Sequence, residues 1–252
     1  MVITWSGAAI DGERPDYFPS GSAEFTISGS TLTIVLTDTT TQQTLSIGEI
    51  LTGLVWDIAG TGVSLDPLAA LIAPGSRLAG VGATSDTDLS GEWGYRGDLS
   101  AGIGGMGPLG SYGISSVGDV NNGVDSFGPG DRFNTASNLF PPPSGSLNGV
   151  EGGIVGANVD FTSDGFKTQG PVVQGWDGSS TQPGQMIFTF QITGTLNEAM
   201  IYNVQPIYGS DGATLVAPPF EAPVVPEPAS VVIWTLLGTL AIGSTWRRAR
   251  HK

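Results

Sequence analysis

The chain has 252 residues, among them 39 Gly, 17 Pro, 9 Lys and Arg, and 23 Asp and Glu, for a formal net charge of −14. So acidic and cation-poor a chain excludes a nucleic-acid binder, which needs Lys and Arg against phosphates. No Cys is present and the single His is His251, so disulfide scaffolds, thiolate zinc sites and Ser-His-Asp chemistry in the body are excluded as well.

Taken in chain order, Met1-Val-Ile-Thr-Trp-Ser-Gly lacks the basic residues and the 7–15-residue apolar stretch of a secretory leader, and the first cation is Arg14. Residues 23–36 predict a hairpin. Phe25 and Ile27 alternate with polar neighbours, Gly29-Ser30 supplies a tight turn, and Leu32, Ile34 and Leu36 alternate again. Residues 51–59 and 186–193 predict further strands, rich in β-branched and aromatic side chains. Residues 201–208 alternate too, with Pro206 pointing to an edge or a bulge. No part of the body holds a 3.6-residue period over twelve positions. The expected class is all-β: an antiparallel β-sandwich, with a jelly-roll-like arrangement as one option, carrying long Gly-rich loops over residues 91–185.

Three patterns in the body invite a chemical reading. Asp119, Asn121, Asp125 and Asp131 place oxygen side chains around a Gly-containing loop, as a Ca²⁺ site would. However, Val124 stands five residues after Asp119 and no Glu closes the loop, so polar turn residues account for the run as well. Glu92 beside Trp93 and Tyr95 is the neighbourhood most like a glycoside hydrolase, where an aromatic wall raises a carboxyl pKa; packing is the commoner role of such a Trp. Trp56, Trp93 and Trp176 would make a sugar-stacking platform only if the fold brought them together. The run from Gly102 to Gly107 lacks the Lys-Ser/Thr ending of a phosphate loop.

The C-terminus has the sharpest organisation. Residues 218–228 carry five prolines and predict an extended spacer. Residues 229–246 are 18 positions without a formal charge, which as a helix reach about 27 Å, enough for a thin bilayer core. Arg247, Arg248, Arg250 and Lys252 follow, a cytoplasmic stop on the positive-inside rule. The expected organisation is therefore an extracytoplasmic body over 1–217, a spacer over 218–228, a transmembrane helix over 229–246 and a basic tail over 247–252.

Within the spacer, Val225-Pro226-Glu227-Pro228-Ala229-Ser230, followed by the apolar segment and the Arg-rich end, resembles the PEP-CTERM sorting signal of bacterial exosortase substrates. The resemblance covers residues 225–252. It implies that a membrane-embedded cysteine transpeptidase, the exosortase, recognises Pro226, Glu227 and Pro228 and removes the helix, much as a GPI signal loses its hydrophobic tail. Residues 23–36, Gly91–Gly97 and Ser126–Phe133 also look like a group of exosortase-dependent surface proteins that supplies no catalytic residues. Export then requires a leader, expected upstream of Met1.

The expected function is that of a non-enzymatic surface or extracellular-matrix protein without a cofactor, held briefly in the inner membrane and partnered by the exosortase. One alternative is an adhesin for surface polysaccharide, dependent on carbohydrate-stacking loops or on calcium. The second is a secreted glycan hydrolase.

Overall fold

Alternation of apolar and polar residues puts every second side chain on one face of a strand, and the segment 20–36 follows that rule closely. In the computed structural model, residues 1–7, 16–78, 86–99, 110–117, 127, 131–134, 153–157, 172–175, 182–209 and 214–215 are described. Strands Val2–Ser6 (β1), Ser20–Ser28 (β2) and Thr31–Asp38 (β3) run in chain order as an antiparallel meander. The predicted hairpin is β2–β3, and Gly29 turns it at φ +61°, a left-handed conformation that glycine adopts without a Cβ clash. Gln185–Thr193 (β11) pairs with β3 and then with Ser64–Ile72 (β5), giving a five-stranded sheet in the order β1-β2-β3-β11-β5.

The second sheet gathers the remaining strands. Leu51–Ile58 (β4) is bonded along one edge to Ile201–Tyr208 (β12) and along the other to Tyr112–Ser115 (β8) and Gly153–Ile154 (β9). Short strands complete it: Ser76–Leu78 (β6), Gly94–Arg96 (β7), Val172–Gly175 (β10) and Thr214–Leu215 (β13). Among the described residues every strand pairing is antiparallel except β9 with β10.

One core joins the two sheets. Phe25, Leu32, Ile34, Leu36, Phe188 and Phe190 from the first meet Leu54, Trp56, Ile114, Ile201 and Val204 from the second, all buried. Trp56 sits edge-on to Phe25 and Phe190 across the interface, with ring centroids 6.0 and 6.3 Å away, and stacks on Tyr112 at 6.2 Å. Each such side chain stabilises the fold by roughly 1.5–3 kcal/mol through burial, with aromatic pairing adding to that. The body is thus an all-β sandwich.

The strand β4 is buried on both faces. Its outer side carries Val55, which packs with Ile207, Leu99 and Phe127 in a second apolar cluster. This explains why residues 51–56 read as a nearly unbroken apolar run instead of alternating.

Some outcomes differ from expectation. Strands β1 and β5 were not anticipated. In β5, Pro67 sits on an edge strand beside a register shift against β11, which breaks the alternation that would have marked the strand. Pro206 occupies a strand with register shifts on either side, so the bulge holds; the edge does not, because β12 is paired by both β4 and β13. The Gly-rich centre, over 91–185, carries the short strands β7 to β10.

The chain divides into two compact units, Met1–Phe220 and Glu221–Lys252. The second lies outside the described residues, as does the expected transmembrane helix at 229–246. Among the described residues no helix is long and apolar enough to cross a membrane.

Candidate functional site

The inward row of β3 runs Leu32, Ile34, Leu36 and then Asp38. Period two leaves the last residue no choice of face, so a carboxyl enters the core with the leucines, and it is fully buried. Its Oδ1 accepts the Thr40 backbone N–H at 2.9 Å, closing a two-residue Asx turn where the strand ends. Its Oδ2 is buried without a hydrogen-bond partner. Burial pushes the carboxyl up to about 7, against the opposing pull of its hydrogen bonds from Thr40.

Two tyrosines close over this acid. Tyr17 and Tyr208 are both wholly buried. The Tyr17 hydroxyl donates to the Glu49 carbonyl at 2.9 Å, and the Tyr208 hydroxyl accepts from Trp5 Nε1 at 3.1 Å. Burial first, and the neighbouring Asp38 charge second, hold both phenols far above their ordinary range. The supporting frame is polar and local. Thr40 Oγ1 accepts from Ser20 N at 3.0 Å, and Asp38 N donates to the Gly184 carbonyl at 3.2 Å. Glu49 Oε2 accepts the backbone N–H of Leu45 at 2.6 Å and of Ser46 at 3.4 Å, which pins the 3₁₀ turn Ile47–Glu49 beneath Tyr17.

Chemically, this arrangement holds a proton. A carboxyl with a pKa near 7, flanked by phenols that stay protonated, changes charge in the neutral range while its neighbours do not. Among the described residues no group of three or more His, Cys, Asp or Glu gathers as a metal site would.

A second polar network lies on the outer face of β4. Asp57 Oδ1 accepts from Ser111 N and Oγ, both at 2.8 Å, and Oδ2 accepts from Asn203 Nδ2 at 2.8 Å. Asn203 Oδ1 in turn accepts from Gln205 Nε2 at 2.8 Å. Asn203 stands at φ +50°, inside the first register shift of β12.

The residues singled out from the sequence fare unevenly. Asp119, Asn121 and Asp125 lie outside the described residues; Asp131 is described and half-buried. Glu92 is buried in a turn, its N–H on the Leu89 carbonyl. Trp93 beside it is core: fully buried, with its ring edge-on to Phe188 at 4.8 Å. The sugar platform is corrected on the same ground, since neither Trp56 nor Trp93 has an exposed face to stack on a ligand, and Trp176 lies outside the described residues. Pro226, Glu227, Pro228, Arg247, Arg248, Arg250 and Lys252 also lie outside them. Sequence reading passed over Asp38, Tyr17 and Tyr208; the usable signal was the position of Asp38 two residues beyond Leu36 in an alternating run.

No protein-family model matches this chain, and neither a curated protein nor a solved structure is significantly similar to it.

Proposed function

We propose that the chain is an exported, non-enzymatic surface or extracellular-matrix protein that an exosortase sorts and processes at its C-terminus. The observation that carries this reading is the order of three elements over residues 225–252: Val-Pro-Glu-Pro-Ala-Ser, an uncharged apolar stretch, and a cluster of Arg and Lys. Physically, the apolar stretch partitions into the bilayer and the cations keep the tip on the cytoplasmic side, which leaves the acidic body on the far side. The proline spacer holds Pro226-Glu227-Pro228 extended near the membrane surface, within reach of a membrane-embedded transpeptidase. Removal of the helix then passes the body to the cell surface or matrix.

The aromatic wall that a hydrolytic reading would need beside Glu92 is core instead, because Trp93 is fully buried against Phe188. Intact-mass analysis of the protein recovered from the cell surface tests the reading. A form lacking roughly the last two dozen residues is expected on the cleavage logic of such signals; a full-length chain recovered from the cytosol overturns it.

A further inference from the structure

Sheet edges that face solvent are normally blunted by charge, proline, bulges or a covering segment. The five-stranded sheet treats its two edges differently. Edge strand β5 carries Asp66 and Pro67, has a register shift there, and is bonded over its second half by the segment 86–89, through Ile72 N to Thr87 O at 3.0 Å and Leu89 N to Ala70 O at 2.7 Å. Edge strand β1, Val-Ile-Thr-Trp-Ser, has no charge, no proline and no bulge, and among the described residues no strand pairs with its outer edge.

The parity of β1 is also self-complementary. Phe25 N donates to Met1 O and Gly7 N to Pro19 O, so the odd-numbered residues bond inward to β2. The backbone groups of Val2, Thr4 and Ser6 therefore face outward, and these three side chains are exposed. Two such edges brought together antiparallel about Thr4 set Val2 of one copy opposite Ser6 of the other and Thr4 opposite Thr4. All three pairs are then of the hydrogen-bonded type.

We propose that β1 is a self-association edge, through which two copies of this chain pair antiparallel about Thr4 into one continuous sheet. The partner is a second copy because the register fits itself and no charge in either strand opposes it, whereas most of the body is acidic. A five-residue edge buries less than the ~1,000 Å² of a lasting interface, so the contact is weak and forms where the protein is crowded. This inference rests on the fold and not on the sorting signal.

The absence of Cys makes the register directly measurable. Single variants Thr4→Cys, Val2→Cys and Ser6→Cys are made in the full chain and oxidised at high concentration in mild detergent. Opposed Thr4 residues at about 5.5 Å between Cα atoms fit a disulfide, while two Val2 residues lie about 14 Å apart. The expected result is that Thr4→Cys cross-links to itself at least about tenfold faster than Val2→Cys does, and that Val2→Cys mixed with Ser6→Cys cross-links as a heteropair. Equal rates for Thr4→Cys and Val2→Cys overturn the proposal. Thr4→Lys provides the second measurement, because the exposed site tolerates the change while two ammonium groups would meet at the two-fold axis. Its unfolding midpoint should match wild type and its concentration-dependent association in sedimentation should vanish; undiminished association overturns the proposal as well.

Discussion

Among the described residues, Asp38 carries a large upward carboxyl shift, and the pH dependence of the fold should show it. Its ordinary pKa of 3.8 rises to about 7 in the folded chain because the carboxylate would have to ionise inside the core. Between those two values the unfolded chain has released this proton and the folded chain has kept it. Folding stability therefore falls as pH rises across that interval: the contribution is intact below about pH 4 and gone once pH passes the folded value. A gap of roughly three pH units at 1.36 kcal/mol each sets a ceiling of about 4 kcal/mol on the loss. The Asp38→Asn variant isolates it, because Asn keeps the oxygen that accepts the Thr40 N–H and cannot ionise. Urea midpoints of both proteins, measured from pH 4 to pH 8 at fixed ionic strength, should agree at the acid end to within about 1 kcal/mol, the worth of one altered hydrogen bond. They should diverge toward pH 8, with the variant the more stable. The other carboxyl groups cancel in the difference. A gap between the two proteins that stays constant with pH would refute the burial argument.

Three further outcomes follow from packing and backbone geometry. Trp56→Ala removes the ring that touches Phe25, Phe190 and Tyr112, and should cost about 3–5 kcal/mol in chemical denaturation. Gly21→Ala places a methyl group against the Trp5 ring and the Thr37 carbonyl, so a loss of roughly 1–3 kcal/mol is expected, with a shift in tryptophan emission as Trp5 is displaced. At Asn203, both Gly and Val forfeit the bonds to Asp57 and Gln205, but only Val must hold a β-branched side chain at positive φ. Thermal unfolding should therefore rank Asn203→Val below Asn203→Gly by about 1–2 kcal/mol.

How far the fold could be read beforehand depended on the length and purity of each alternation. The runs 23–36 and 186–193 carry enough apolar positions in phase to stand out and became β2, β3 and β11, while 51–59 stood out by its apolar and aromatic density and became β4. In Ser64–Ile72 the phase slips at Pro67, where the register against β11 shifts, so two half-strands of opposite parity mask one continuous element. Strands such as Gly153–Ile154 and Val172–Gly175 are shorter than any period can resolve, and only pairing with β4, β6 or one another defines them. The buried acid was hidden for a different reason. A polar residue at the end of an apolar run is ordinarily taken as the point where the chain returns to water, and Asp and Asn do favour such turns. Yet Asp38 is even-numbered with Leu32, Ile34 and Leu36, and β3 stays paired with β2 through Gly21↔Asp38. Parity therefore decides its face before polarity can, and Tyr17, Tyr208 and Thr40 are the groups that make an inward-facing acid tolerable there. In a strand whose pairing outlasts its apolar residues, position modulo two is the better guide to burial than side-chain type. That rule leaves a carboxyl whose burial favours its protonated form.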